Sequence, residues 1–275
     1  MAATITAADV NKLRQQTGAG MMDCRKALVE SDGDFEKAVD YLRKKGQKVA
    51  ALRSDRETKE GVIIAKTAAD GKSGVVLALG CETDFVAKNE DFIKFAQSIV
   101  DLALSTGVNT LEELGAAALD GATVNDKVND QVAKIGEKIT LAKFEKISAG
   151  SVTAYIHGNY RMGVLVGFSA PASEEVGKDI AMQIAAMNPI AVDADGVPAE
   201  VVAREKEIAI EQIKAEGKPA DMAEKIAAGK INKFYKDNTL LQQAFVKDAN
   251  KSVGDYLKSV SADLKVTGFS RIALG

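Results

Sequence analysis

Gly61-Val62-Ile63-Ile64-Ala65-Lys66 and Val75-Val76-Leu77-Ala78-Leu79, joined through Asp70-Gly71-Lys72-Ser73-Gly74, are the stretch on which the fold turns. Both runs are short, apolar and rich in β-branched residues, which suits strands better than helices. Asp-Gly between them is a hairpin signal, because its residues tolerate the positive φ a tight turn demands. A helical stripe follows, with Phe92, Phe95, Ala96, Ile99 and Leu102 recurring at three- and four-residue steps. The same order then returns. Val152-Thr153-Ala154-Tyr155-Ile156 and Val164-Leu165-Val166-Gly167-Phe168 flank His157-Gly158-Asn159, and a helix is expected from about Glu174 to Met187. Gly74-Val75-Val76-Leu77 and Gly163-Val164-Leu165-Val166 also look alike. This reads as an internal duplication of a hairpin-plus-helix unit, giving an α+β core of two subdomains.

Outward from that core, the first segment reads as three short helices. Thr6 with Asp9 begins one, Thr17-Gly18-Ala19-Gly20 breaks it, and Met21, Cys24, Ala27 and Leu28 resume an apolar stripe. Asp32-Gly33-Asp34 is the next turn, before Phe35, Ala38, Val39 and Leu42. From Arg43 to Lys59 the chain is polar and charged and reads as a linker with a helical start. At the other end, all four prolines lie after residue 170 and mark helix boundaries. Two helical patterns between Ala199 and Tyr235, broken at Gly217-Lys218-Pro219, predict an antiparallel hairpin whose Lys- and Glu-rich faces protrude. A helix near Val253 to Leu264 and a strand from Val266 to Ile272 close the chain. The expected units are residues 1–55, 56–145 and 146–275, the last with a helical hairpin inserted at 198–237.

Composition excludes several functions. Hydrophobic residues make up 46% and charged residues 27%, a balance that supports a real core. The net charge of −3, from 36 basic and 39 acidic side chains, gives no electrostatic drive toward nucleic acid. Aromatics are 5% and Trp is absent, which argues against a base-stacking platform. One His and two Cys leave too few ligands for an ordinary zinc site and exclude a disulfide framework, so no metal or cofactor is expected. The N-terminus lacks the basic and apolar regions of a signal peptide, and no run approaches the ~20 apolar residues of a membrane span. A cytoplasmic protein with no membrane contact is expected.

Several motifs imitate chemistry. Gly18-Ala19-Gly20 would need a third glycine at Asp23 and a strand before it to bind a dinucleotide. Gly71-Lys72-Ser73 has the tail of a phosphate loop but Lys66 where its first glycine belongs. Asp32-Gly33-Asp34-Phe35-Glu36 fails as a calcium loop at Lys37 and Arg43. All three read as turns. His157 is the sole imidazole, with no partner pattern for catalysis, and Cys24 and Cys81 read as small buried hydrophobes. The basic cluster Arg43, Lys44, Lys45, Lys48 and Arg53 is offset by Asp40, Asp55 and Glu57 and reads as a solvated linker.

One junction stands out. Gly80-Cys81-Glu82-Thr83-Asp84-Phe85-Val86-Ala87-Lys88-Asn89 carries the chain from strand to helix where the second unit has only Ala170-Pro171-Ala172-Ser173. Two readings are open. Either Thr83 or Asp84 caps the helix and Phe85 packs as a hydrophobic staple, or the segment is an exposed tip, with a Phe to wedge into a partner beside a carboxylate.

Here the sequence resembles a family. Thr17-Gly18-Ala19-Gly20-Met21-Met22-Asp23-Cys24-Arg25-Lys26-Ala27-Leu28 and Cys81-Glu82-Thr83-Asp84-Phe85-Val86-Ala87-Lys88 look like the two signatures of bacterial elongation factor Ts. Ala133-Lys134-Ile135-Gly136-Glu137, the His157-Gly158 turn, Gly217-Lys218-Pro219 and Val266-Thr267-Gly268-Phe269 extend the match along nearly the whole chain. The resemblance implies a UBA-like N-terminal three-helix bundle, a two-subdomain core and a protruding antiparallel coiled coil. It implies a translation elongation factor, not an enzyme, that binds EF-Tu·GDP and releases GDP by perturbing the Mg²⁺ and nucleotide site, so that GTP rebinds. Thr83, Asp84, Phe85 and Val86 match the segment that dislocates Mg²⁺; Ile135, Gly136 and His157 match further EF-Tu contacts. Some members carry a further C-terminal helical module, and its lack after Gly275 would leave exchange resting more heavily on Asp84 and Phe85. The sequence leaves open a homodimer and a 1:1 or 2:2 complex. A binding adaptor built on residues 1–55 and an RNA-associated protein are the other classes considered.

Overall fold

The computed structural model describes residues 4–215 and 220–275. Helices α1 (Ala7–Thr17), α2 (Met21–Glu30) and α3 (Phe35–Leu52) come first, then the hairpin β1 (Glu60–Thr67) and β2 (Ser73–Cys81). A short helix α4 (Asp84–Ala87), α5 (Glu90–Thr106), α6 (Leu111–Ala116), the ribbon β3 (Ala118–Leu119) and β4 (Ala122–Thr123), and α7 (Val124–Ile135) lead to β5 (Thr140–Ser148). The second half begins with β6 (Ser151–His157) and β7 (Met162–Phe168), followed by α8 (Glu174–Met187). Then come α9 (Ala199–Ala215), α10 (Ala220–Asn238), the ribbon β8 (Ala244–Phe245) and β9 (Asp248–Ser252), α11 (Val253–Val260) and β10 (Val266–Ala273).

The two sheets share one topology, with orders β1-β2-β5 and β10-β7-β6, all pairs antiparallel. In each, the second strand of the hairpin is central, and the last strand returns to its free edge. β5 carries the first sheet through to Ser148, so the passage between sheets falls at Ala149 and Gly150.

The apolar runs are continuous because both faces of each sheet are covered. Val62, Ile64, Val75, Leu77 and Leu79 face α5 and α7, burying Phe92, Ala96, Ile99 and Val132. Val164, Val166 and Phe168 face α8 through Ile180 and Ile184. The alternate residues Ile63, Val76, Ala78, Val152, Leu165 and Ile272 form a separate cluster where the two sheets meet. The look-alike glycines are explained there. A Cβ on Gly74 would lie 2.8 Å from Val152 Cγ1, and one on Gly163 would lie 2.6 Å from Ile63 Cγ2. Each central strand opens with a residue that lets the other sheet come close.

The N-terminal turns are as read. Thr6 and Asp9 form a full capping box, Gly18 ends α1 at φ 68°, and Asp34 accepts the Lys37 N–H at 3.1 Å to start α3. Val10, Leu13, Cys24, Ala27, Leu28, Ala38 and Leu42 give the three helices a core of their own.

The helical start expected for the linker at residues 43–59 is present, but the helix runs further and packs where a free linker was expected. α3 runs to Leu52 and packs on α7, because Gly46 allows contact: a Cβ there would sit 2.8 Å from Ala133 Cβ and 2.9 Å from the Asn129 carbonyl. Two of its basic residues are engaged, Lys45 with Asp23 and Arg53 with Glu82, while Arg43, Lys44 and Lys48 are exposed, as the solvated reading expects. α9 and α10 pack on each other through Ala209, Ile213 and Ala227. Lys230 Nζ donates to Gln212 at 2.9 Å, while the far end of α10, at the Asn238 carbonyl, takes the Ile190 N–H ahead of α9. The two helices are therefore antiparallel. The expected turn at Gly217-Lys218-Pro219 lies outside the described residues.

Gly163→Ala should lower stability by about 1–3 kcal/mol, because the sheet interface has no room for a methyl group. Gly229→Ala, in an exposed turn of α10 with nothing within 4 Å of the new Cβ, should instead stabilise by roughly 0.5–1 kcal/mol. Urea unfolding of both variants checks the pair; equal effects would mean that crowding at Gly163 carries no energetic weight.

Candidate functional site

The strand-to-helix junction after β2 is an exposed tip on a braced stem. Phe85 is 83% exposed, so the hydrophobic-staple reading does not hold. Thr83 occupies the N-cap position of α4 with extended backbone, yet its side chain makes no cap bond. Its Oγ1 donates to Glu137 Oε1 at 2.6 Å. Glu137 Oε2 accepts the backbone N–H groups of Glu82 at 3.1 Å and of Thr83 at 3.0 Å. α4 itself is one turn, closed by Lys88 N–H on the Asp84 carbonyl at 3.0 Å. Asn89 then caps α5 through Asp91 N–H and Phe92 N–H, and Phe92 is buried.

Glu82 faces inward with its side chain 15% exposed. Its Oε1 accepts the Lys138 N–H at 2.6 Å and Arg53 Nη1 at 2.7 Å. Lys138 Nζ reaches the Ser54 and Arg56 carbonyls at 2.5 and 2.8 Å. The end of α3, the base of the tip and the start of β5 are thus tied at one place. Asp84 is paired with Lys88 across a helical turn at 2.6 Å, and that hydrogen bond holds its carboxyl below the usual aspartate range.

Ile135 ends α7, and Gly136 takes the left-handed conformation that stops it, at φ 79°. Phe85, Val86 and Ile135 line one shallow concavity of about 270 Å³ with Phe92, Gln131 and Lys134. The structure therefore brings the Thr83–Val86 and Ile135–Gly136 segments together although about fifty residues separate them. His157 belongs elsewhere. It ends β6 in the second sheet, exposed, with Tyr155 Oη 2.9 Å from Nδ1. Among the described residues no hydrogen bond or shared concavity joins it to the tip. Its turn runs through Gly158, Asn159 and Tyr160, all with positive φ, and is held by Ile63 N–H on the Tyr160 carbonyl at 2.8 Å.

Glu137 was not singled out in the sequence. A signal existed. A carboxylate just past a helix C-terminus has the wrong sign for the helix dipole, so one placed there needs donors from another segment. Among the described residues no group of three or more His, Cys, Asp or Glu could hold a metal, and no helix is long and apolar enough to cross a membrane.

Cys81 lies under the tip, fully buried, with its Sγ 3.2 Å from the Thr83 carbonyl. Burial first, and then Glu137 nearby, pushes its thiol up to about 12. Burial raises Cys24 as well. Neither thiol should react with a disulfide reagent at pH 8 until the protein unfolds, since the thiolate is the nucleophile; rapid modification of folded protein would contradict this. The Lys138 N–H, and after it Arg53, lower the Glu82 carboxyl from its ordinary value near 4.5. Its contribution is therefore complete above that value and is lost as the pH falls through the lowered one. A carboxyl NMR titration should give Glu82 a midpoint below 4.5, whereas an ordinary midpoint would mean the brace is absent in solution.

A family model described as Elongation factor TS matches residues 82–275. The chain is 54% identical to the Elongation factor Ts of Flavobacterium psychrophilum over 275 residues, covering 99% of this chain and 100% of that protein. It is 50% identical to that of Christiangramia forsetii, with the same coverage. To that of Methylococcus capsulatus it is 46% identical, covering 99% of this chain and 92% of the relative. On these likenesses the chain belongs to the elongation factor Ts family of translation elongation factors.

Proposed function

We propose that the chain is a nucleotide-exchange factor rather than an enzyme. It binds the translational GTPase EF-Tu in its GDP form, perturbs the Mg²⁺ and nucleotide site, and so releases GDP and lets GTP rebind. The observation that carries this reading is Phe85, 83% exposed on a stem fixed from below. Met22 and Leu52 are also exposed, but only Phe85 sits on this braced turn, where a partner can bury the ring without first ordering the chain that carries it. Thr83, Asp84, Phe85 and Val86 enter the GTPase domain. Ile135 and Gly136 extend that contact, and His157 contributes a second contact from the other sheet. On this reading the chain works in the cytoplasm without touching nucleic acid. Its first three helices are UBA-like, and α9 and α10 form a coiled coil. The working units are residues 1–55, 56–145 and 146–275, with the hairpin at 198–237.

The energetics require both a tip and a wide grip. Factor and nucleotide bind with negative coupling, and the coupling is reciprocal. Weakening GDP a thousandfold takes ~4 kcal/mol, while burying one Phe yields ~1.5–3 kcal/mol. A second contact through the other sheet supplies the remainder.

Stopped-flow release of fluorescent GDP from EF-Tu tests the reading. Acceleration by substoichiometric factor is expected, and its absence would sink the proposal. Phe85→Ala should keep the fold and slow release about 10- to 100-fold, the equivalent of the buried ring. Asp84→Ala should cost less, because Lys88 already neutralises much of its charge. An equal or larger loss would make Asp84 the principal actor.

A further inference from the structure

We propose that Glu137 is the positioning residue of the tip, with Glu82 as its reciprocal partner; this rests on the exchange reading above. The tip is carried by α4, a helix of four residues. One turn cannot hold its own shape, because helix nucleation is unfavourable. What holds it must come from outside the turn.

Glu137 supplies that hold through both carboxylate oxygens. Oε1 takes the Thr83 hydroxyl and Oε2 takes the Thr83 N–H, so one carboxylate fixes the side chain and the backbone of the same residue. Oε2 also takes the Glu82 N–H. In return, Glu82 Oε1 takes the N–H of Lys138, the residue after Glu137. Each segment thus binds the backbone of the other with a carboxylate. Arg53 adds a cation on Glu82 Oε1, so that side of the brace is charge-assisted as well.

The brace sets a direction. Thr83 is fixed at φ −124° and ψ 154°, and those angles determine how α4 leaves β2 and where Phe85 points. Glu137 directly follows Ile135 and Gly136, so the same bonds fix the spacing between the two apolar contact segments. The Thr83 hydroxyl has a competing use as an N-cap of α4. Glu137 draws it away, which selects one of two arrangements of the junction. None of its bonds goes to Phe85 or beyond, so Glu137 acts through Thr83.

The test compares the full chain with Glu137→Ala, Glu137→Gln, Phe85→Ala and the double variant Glu137→Ala/Phe85→Ala. GDP release from EF-Tu is measured against factor concentration to separate kcat from KM. Glu137→Ala should lower kcat about tenfold or more, the scale set by charge-assisted hydrogen bonds, while KM moves much less. Glu137→Gln keeps one carbonyl acceptor and should recover part of the loss. It also carries the test should the alanine variant fail to fold. In the double variant the two losses should not multiply, because a misdirected tip without its ring has nothing further to lose. Amide exchange at Glu82 and Thr83 should quicken in Glu137→Ala while β1 and β7 stay protected.

Unchanged kcat in both Glu137 variants, or losses that multiply in the double variant, would overturn the positioning role. A rise in KM with kcat intact would also overturn it, making Glu137 a contact. No acceleration by the unaltered chain would remove the exchange reading and this proposal with it. Acceleration that Glu137→Ala and Glu137→Gln both match removes this proposal alone.

Discussion

The two sheets meet face to face, and their contact fixes everything built on them. A strand with one wet face has its register set by alternation, since a slip of one residue would turn its apolar side to water. β2 and β7 have no wet face, so alternation cannot do this for them. Gly74 and Gly163 do it instead. A one-residue slip would bring Val75 or Val164 to the place where the other sheet leaves no room for a Cβ. Small residues at the close approach thus pin the register, and the register determines where β2 ends and the tip begins.

The tip's platform is assembled from distant parts. α7 is held on one side by the first core, through Val124, Val128 and Val132, and on the other by α3 crossing at Gly46. Its C-terminus therefore has little freedom, and the loop after it delivers Glu137 to the base of the tip. Arg53, at the end of α3, closes the arrangement from the third side. The N-terminal helices have their own core, but their last helix is part of the wall behind the tip.

What was legible in the sequence follows from range. The hairpins, α5 and α8 were readable because apolar runs, turn residues and helical spacing are local properties. The caps of α1 and α3 were readable for the same reason. The extension of α3 to Leu52 was not, because its apolar content is thin beyond Leu42 and its stability depends on α7, some eighty residues away. α6, α7 and β5 went unassigned, although the capping box at Thr123 and Asp126 and the spacing of Val124, Val128 and Val132 marked α7. At the tip, local pattern could not separate a staple from an exposed wedge, since both place an aromatic residue beside a cap. The choice was made by Glu137, which takes the hydroxyl that a capped helix would have used.

An exposed aromatic ring on a rigid stem differs from the same ring on a flexible loop in where the ordering entropy falls. Fixing a residue's backbone costs roughly 1–2 kcal/mol, so ordering a four-residue turn on contact would absorb more free energy than burying Phe85 yields. A flexible tip would bind and leave little with which to distort the partner's site. In this chain the ordering takes place at folding, where the brace of Glu82, Glu137, Arg53 and Lys138 and the cores beneath it offset the cost. Preorganisation of this kind leaves the free energy of contact for work on the partner. It also accounts for two half-buried, hydrogen-bonded carboxylates beneath a turn whose aromatic ring points outward. The polar network beneath the tip supplies direction, and the ring supplies the affinity that direction makes useful.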